Sequence, residues 1–207
     1  MMNPPIESLD NYKRIYVPSF VIYPDGINGK YSVALTESGP EAKLKKVIVS
    51  DVPENTILLN LHKYSNLNIG MRMKEIINDE CGVFKCCDYL MISAENGKLH
   101  LIYIEMKSKK IERGEIIKQF KGASCFIGYC NAIIEYFYDT HSQKAFSIDT
   151  SYALLSWRNL NKTPTTKKHS YRKNKYRKSL SPEEYIHRTV GSNDSGNVPF
   201  EWFLTGV

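Results

Sequence analysis

The chain has 207 residues, of which 42% are hydrophobic and 12% aromatic, and its formal net charge is +6. This length and composition exclude a wholly disordered chain and favour one globular α/β domain over residues 1–207. The sequence has no long apolar run and no leader-like start in "MMNPPIESLD", so we expect no membrane contact and a cytoplasmic location. An odd number of cysteines on predicted strands and a helix is typical of reduced thiols: Cys81, Cys86, Cys87, Cys125 and Cys130.

Residues 1–53 predict an N-terminal antiparallel β meander. Its three β-branched and aromatic runs lie at about 14–23, 30–36 and 45–50. The segment "PDGING" between the first two runs contains Asp-Gly and Asn-Gly, which favour a hairpin. The meander either extends the main sheet or forms a flap beside it, and it carries no catalytic signature.

The predicted core, residues 54–157, includes a helix at "NLNIGMRMKEIINDE". Asn66 or Asn68 caps this helix, and it ends before Gly82. Its apolar side is formed by Ile69, Met73 and Ile76 or Ile77. The helix leads into the strand that follows it.

Two predicted strands carry charged residues inside apolar runs, namely Asp88 in "KCCDYLMIS" and Glu105 and Lys107 in "LHLIYIEMKSK". Burying such charges costs several kcal/mol unless something compensates them. Because residues two apart in a strand share a face, Glu105 and Lys107 point together, and Met106 points to the opposite layer. Two acids and a lysine can therefore converge.

This combination suits phosphodiester hydrolysis. Two carboxylates supply the hard oxygen ligands that Mg²⁺ or Mn²⁺ prefers, and the metal polarises a phosphate and activates a bound water. A lysine on the same face steadies or deprotonates that water.

The spacing of these residues resembles the motif of the PD-(D/E)xK nuclease superfamily, because sixteen positions separate Asp88 from Glu105-Met106-Lys107. The resemblance covers roughly residues 60–137. Cys87 stands where the family name has proline. The resemblance implies a restriction-endonuclease-like core, a mixed central sheet flanked by helices, and a metal held by Asp88, Glu105 and the backbone carbonyl of Met106. The alternative is that an acid-x-lysine triplet has arisen by chance in a chain that is 24% charged.

A second helix is predicted over about 112–137, because apolar residues recur at helical spacing at Ile116, Phe120, Ala123, Ile127, Cys130 and Ile134. The resemblance implies that Gln119 orients the lysine or contacts phosphate, with Lys121 as a nucleic-acid contact. The alternative for both is a solvated polar face. The resemblance also implies a further metal-binding acid near the first core helix, for which the candidates are Glu75, then Glu80, then Glu54.

After a short predicted strand at "SYALLSW", the basic loop 158–180 concentrates the positive charge. Residues 158–178 hold nine basic side chains and no acid, so the remainder of the chain carries 6 − 9 = −3. Tyr171 and Tyr176 are interleaved with these cations and offer rings for base stacking. The candidate phosphate contacts are Lys167, Lys168, Arg172, Lys173, Lys175, Arg177 and Lys178. The alternative is a solubilising loop or a contact for an acidic protein.

Residues 181–207 predict a helix from Ser181-Pro182 to about Val190 and then a closing strand or docked terminus at "VPFEWFL". The function that these patterns favour is metal-dependent cleavage of nucleic acid, DNA before RNA. By resemblance it would serve restriction or another anti-phage defence. The alternatives are a non-catalytic binding module that keeps the nuclease fold and an effector subunit activated by a partner, with a protein partner or homodimer left open.

Overall fold

Two mixed β-sheets and three α-helices make up the described part of the chain, which is therefore a mixed α/β fold. The computed structural model describes residues 4–16, 18–37, 42–62, 82–108, 111–138, 147–157, 181–190 and 195–205. The α-helices are α1 (Pro4–Ile15), α2 (Arg113–Phe137) and α3 (Phe200–Thr205). Short 3₁₀ helices span Pro18–Phe20 and Pro182–Glu184.

Ten strands form the two sheets. In chain order they are β1 (Val21–Ile22), β2 (Asp25–Ile27), β3 (Lys30–Thr36), β4 (Lys46–Val52), β5 (Thr56–Asn60), β6 (Tyr89–Glu95), β7 (Lys98–Lys107), β8 (Ser147–Trp157), β9 (Ile186–Val190) and β10 (Ser195–Pro199). The six-stranded main sheet has the order β1-β5-β6-β7-β8-β9, and the four-stranded accessory sheet has the order β10-β4-β3-β2. In the main sheet β1, β5, β6 and β7 are antiparallel neighbours, and β8 and β9 run parallel to β7.

The main sheet is buried on both faces, which explains its nearly continuous apolar strands. On one face α1 and α2 contribute Leu9 and Phe120 to a core with Tyr103 of β7. On the other face the accessory sheet and α3 pack against β7, as Val49 and Phe203 do beside Ile104. Alternate residues of β7 therefore enter two different cores, and Met106 lies on the accessory-sheet side as its strand position predicts.

The predicted helix 112–137 is confirmed as α2, and all six apolar residues that predicted it are buried. The same helix has an unusually close neighbour at Gly122. A Cβ atom at Gly122 would stand 1.8 Å from the backbone oxygen of Lys85. The bend that leads into β6 thus lies directly against α2, and only glycine permits that approach.

The N-terminal meander differs from its prediction. Residues Pro4–Ile15 form a helix, so the expected strand at 14–23 shrinks to β1 and pairs with β5 in the main sheet. Tyr12 on α1 hydrogen-bonds Asn131 of α2, and this tertiary contact favours the helix over the local strand preference. The expected hairpin between the runs 14–23 and 30–36 is wrong in its first strand, because β2, which lies inside the predicted loop, pairs with β3 instead. Asn28 and Gly29 form the turn of that hairpin at positive φ.

The prediction for the C-terminal segment was wrong about its helix. Only Pro182–Glu184 is helical, as a single 3₁₀ turn, and Ile186–Val190 is a strand. The edge of β8 offers a ladder of unpaired backbone groups, and pairing with it outweighs the helix-start signal. "VPFEWFL" divides between the end of β10 and α3.

Within the described ranges no helix is long and apolar enough to span a membrane. The four cysteines that can be examined there, Cys86, Cys87, Cys125 and Cys130, are free thiols. Cys81 and the predicted helix 66–80 lie outside the described residues.

Gly122→Ala should lower the free energy of unfolding by about 2–4 kcal/mol, because the added methyl group meets backbone that cannot move alone. Gly128→Ala on the same helix is the matched control, since a Cβ there meets no atom of the described residues within 4 Å. We expect that variant to be up to about 1 kcal/mol more stable than the parent. Urea denaturation measures both, and equal effects would contradict the close approach.

Candidate active site

The pairing of β6 with β7 determines where the two predicted acids lie. The last pair of the ladder is Tyr89 with Ile104, so one further step of the same register sets Asp88 opposite Glu105. Opposed residues of antiparallel strands share a face, with Cβ atoms about 5 Å apart. The hairpin therefore brings Asp88 and Glu105 together on the helix side of the sheet, and Glu105 is fully buried.

Each carboxylate also binds the backbone of the other acid's strand. The Met106 N–H donates to Asp88 Oδ2 at 2.8 Å, and the Asp88 N–H donates to Glu105 Oε2 at 3.2 Å. The Asp88 carbonyl accepts from Leu61 and His62 after β5, at 2.9 and 3.3 Å. Three strand ends are thus joined at Asp88, which fixes the side chain in position.

Lys107 and Gln119 complete this cluster. Lys107 lies two residues beyond Glu105 on the same face and forms an ion pair with Glu105 Oε1. The Gln119 side chain reaches Glu105 from α2 and hydrogen-bonds it. The other amide atom, Gln119 Oε1, is buried and accepts no hydrogen bond from the described residues. An unsatisfied oxygen of this kind is available to a ligand.

Burial dominates the electrostatics of the two acids. It raises the pKa of Asp88, and the Met106 N–H and Lys107 oppose that rise only in part. Burial and then the charge of Asp88 raise the pKa of Glu105 to about 8. Burial alone would lower the pKa of Lys107, but Glu105 and then Asp88 hold it above its ordinary value. Lys107 is therefore a cation at neutral pH, and burial together with the charge of Asp88 favours the protonated form of Glu105.

A cleft of about 240 Å³ opens at these strand ends. Its lining residues are Thr36, Glu37, Asn60, His62, Asp88, Tyr89, Met106, Lys107 and Gln119. Sequence reasoning missed five of them, namely Tyr89 at the start of β6 and also Thr36, Glu37, Asn60 and His62. No motif announces these positions, and the last four reach the cleft through the packing of the accessory sheet and through the end of β5.

Glu37 is the missed residue with the clearest position. Ser108 directly follows Lys107, and its hydroxyl donates a hydrogen bond to the Glu37 carboxylate. Tyr89 holds the preceding residue, since its hydroxyl donates to the Thr36 carbonyl at 2.7 Å. The end of β3 is thereby fixed beside the acids, and Glu37 adds negative charge that bears on Asp88 and Lys107.

Other predicted residues do not join the cluster. Glu54 precedes β5 and accepts a hydrogen bond from Tyr31, six extended residues and about 20 Å from the cleft end of the strand. Lys121 is exposed and pairs with Glu183 at 2.6 Å. It points about 160° away from Gln119 around α2.

The remaining predicted site residues lie outside the described residues. They are Glu75, Glu80, Lys167, Lys168, Arg172, Lys173, Lys175, Arg177 and Lys178. In the sequence, Glu75 and Glu80 lie between His62 and Asp88. His62 and Asp88 both line the cleft. Glu75 and Glu80 stay candidates.

The donor set suits a divalent cation of the magnesium type. The fully buried Glu105 lies opposite the half-buried Asp88, and the Met106 carbonyl lies on the same edge of β7 as the N–H that binds Asp88. The pKa values of both acids are raised, first by burial, so their negative charges are only partly compensated by the described residues. Among the described residues, however, no three His, Cys, Asp or Glu side chains form a metal-binding group.

The chain matches no protein-family model, and comparisons with curated proteins and with solved structures give no significant match. The chemistry of this cluster is therefore argued from its geometry.

The stability of the protein should fall as pH rises across the window in which the carboxyl groups lose their protons. The ordinary pKa of 4.5 applies to Glu105 in the unfolded chain, and folding raises this pKa to about 8. Between these two pH values the folded chain keeps a proton that the unfolded chain has released, so a rise in pH destabilises the folded state. Between pH 6.5 and 8 without metal, we expect the wild type to lose about 1–2 kcal/mol relative to Glu105→Gln.

Urea denaturation in EDTA at a series of pH values measures this difference. The comparison with Glu105→Gln cancels the titration of the histidines, which both proteins share. Parallel stability curves for the two proteins would contradict a strained carboxyl pair.

Proposed function

We propose that the protein is a metal-dependent nuclease that hydrolyses phosphodiester bonds of nucleic acid. The observation that carries this proposal is the cluster around the buried Glu105, in which Asp88 and Glu105 bind each other's strand while Lys107 pairs with Glu105. Such a cluster is costly as a purely structural feature, because one hydrophobic pair could replace it at lower free energy. Perturbed acids in a cleft are typical of functional sites.

Asp88 and Glu105 would hold Mg²⁺ or Mn²⁺ together with the Met106 carbonyl. When bound, such an ion polarises the scissile phosphate and lowers the pKa of a water ligand. The two strands position the carboxylates before any ligand arrives, since backbone N–H groups orient both side chains. Preorganisation of this kind reduces the reorganisation that the reaction requires.

Lys107 would act as a cation rather than as a base. Its pKa is raised by Glu105, so at neutral pH it donates hydrogen bonds and stabilises the negative charge that develops on the phosphate. Gln119 would orient Glu105 through its hydrogen bond and present Oε1 to the attacking water. Both residues approach the same carboxylate, Lys107 along β7 and Gln119 from α2.

The order of elements supports a restriction-endonuclease-like core. After α1 and the two-residue β1, the main sheet adds β5, β6 and β7, then α2 crosses the sheet and β8 returns parallel to β7. The candidate acids lie at the β6–β7 pair, and Gln119 lies on the crossover helix, where the PD-(D/E)xK resemblance expects them. The accessory sheet would be an addition to that core.

Nucleic acid would approach from the edge where β8 ends. Ser156 of β8 pairs with Lys107 of β7, and the basic segment 158–178 begins two residues later. Its nine cations would follow the phosphate backbone beside the cleft. We propose DNA in preference to RNA as the substrate, a cytoplasmic location and a role in restriction or a related defence system.

One observation favours a second candidate function. Among the described residues no third His, Cys, Asp or Glu joins Asp88 and Glu105 in a metal-binding group, which favours an idle site in a module that only binds nucleic acid or protein. A related case is an effector whose site is completed by a partner protein or a second copy. Activity of the purified chain separates these functions.

Purified protein should cleave plasmid, linear or single-stranded DNA with Mg²⁺ or Mn²⁺ and lose that activity in EDTA. Lys107→Ala should reduce kcat by about 10²–10³-fold, because it removes one preorganised charge from the transition state. Asp88→Asn should reduce kcat at least as much and should weaken Mn²⁺ binding measured by calorimetry.

Lys98→Ala is the matched control, since Lys98 begins the same strand and pairs with Asp149 far from the cleft. Its activity should equal that of the parent. Metal-dependent cleavage that survives Lys107→Ala unchanged would overturn the mechanism, and no cleavage of any nucleic acid by the folded protein would favour the binding module.

A further inference from the structure

Three exposed lysines, Lys43, Lys45 and Lys46, stand around one buried anchor between β3 and β4. The anchor, Leu44, is fully buried in the core shared by the two sheets. Burying one leucine side chain contributes about 2 kcal/mol, so this short segment is held against the protein. The lysines are therefore presented from a fixed backbone.

The residue that follows β7 hydrogen-bonds the segment 43–46 directly. The Ser108 hydroxyl, one residue beyond Lys107, accepts hydrogen bonds from the backbone N–H of Lys43 at 2.8 Å and of Leu44 at 2.7 Å. The same hydroxyl donates to Glu37, which lines the cleft. Ser108 is 7% exposed, and its three hydrogen bonds use its full capacity. We name Lys43, Lys45 and Lys46 the accessory lysines.

The strand register sets the accessory lysines beside the cleft. Lys46 pairs with Thr36 across β3 and β4, and the Glu37 N–H donates to the Lys45 carbonyl at 3.3 Å. Both partners, Thr36 and Glu37, line the cleft. Lys43 lies at the same edge, with Nζ 4.6 Å from the centre of the Trp157 ring at the end of β8.

The accessory lysines make no ion pair with any described carboxylate, in contrast to several other lysines. Lys13, Lys98 and Lys121 each pair with a nearby acid. Three like charges on four consecutive residues repel one another, and a polyanion would relieve that repulsion. Regularly spaced phosphates are the matching chemistry, since each contact releases counterions.

We propose that the accessory lysines bind the phosphate backbone of nucleic acid and form a second basic wall of the cleft, in addition to the phosphate contacts proposed for segment 158–178. This inference rests on the proposed function for its choice of polyanion. It gives the accessory sheet a role in substrate binding, because the sheet brings Glu37 and these lysines to the end of β7 together.

The test compares two double variants with the same change in charge. Lys45→Glu/Lys46→Glu removes two accessory lysines, and Lys30→Glu/Lys98→Glu reverses two exposed lysines at the far ends of β3 and β7. Both variants keep segment 158–178 intact. Binding of labelled single- and double-stranded DNA and RNA is measured by fluorescence anisotropy in EDTA, between about 50 and 200 mM salt.

We expect Lys45→Glu/Lys46→Glu to bind roughly 10–100-fold more weakly than the parent, with the slope of log K against log salt on duplex reduced by about two. The control variant should lose less than about threefold, since only long-range attraction changes. Thermal melting checks that both variants are folded. Equal loss in the two variants overturns the proposal, because the effect would then be one of net charge alone.

A polyglutamate probe separates nucleic acid from an acidic protein partner. The phosphate assignment is overturned if the parent binds polyglutamate as tightly as nucleic acid and Lys45→Glu/Lys46→Glu weakens both interactions equally. Cleavage assays on the same proteins separate this inference from the proposed function. If the proteins cleave DNA and Lys45→Glu/Lys46→Glu binds nucleic acid as tightly as the parent, only the second wall is refuted. If Lys45→Glu/Lys46→Glu selectively loses binding and none of the proteins cleaves nucleic acid, the second wall is supported and the nuclease is refuted.

Discussion

The structure depends on a reciprocal contact between two strand ends. Asp88 accepts a hydrogen bond from the backbone beside Glu105, and Glu105 accepts one from the backbone of Asp88. This exchange extends the β6–β7 ladder past its last paired residues with side chains in place of backbone. It also leaves Glu105 fully buried and Asp88 half-buried, and this burial raises the pKa of both. The same pair therefore contributes to the fold and carries the proposed chemistry.

The surrounding layers are arranged around that pair. Helix α2 supplies Gln119 from one side, and its glycine at 122 lets the bend before β6 lie close against the helix. The accessory sheet supplies Glu37 from the other side and is fixed to β7 through Ser108. Because α2 and the accessory sheet lie on opposite faces of the main sheet, the cleft forms where the strands end. A cleft at the ends of packed strands leaves room for a ligand beside a rigid scaffold.

The sequence predicted the parts of this arrangement that depend on local pattern. The helical spacing of Ile116, Phe120 and Ile127 predicted α2, and alternation along β7 correctly separated Met106 from Glu105. It could not predict that residues 4–15 prefer a helix or that 186–190 prefer a strand, since both outcomes depend on distant partners. The cleft residues Glu37 and His62 were missed for the same reason. Metal binding, catalysis and the roles of Glu75 and segment 158–178 stay predictions.

Locating a bound metal ion tests the central claim most directly. Crystals of the protein soaked in Mn²⁺ should give one anomalous difference peak between Asp88 and Glu105, with carboxylate oxygens at about 2.0–2.3 Å. Asp88→Asn crystals soaked in the same way should lose the peak. A structure at saturating Mn²⁺ in which Glu105 keeps only its contacts with Lys107 and the Asp88 N–H, with no ion beside it, would contradict the account.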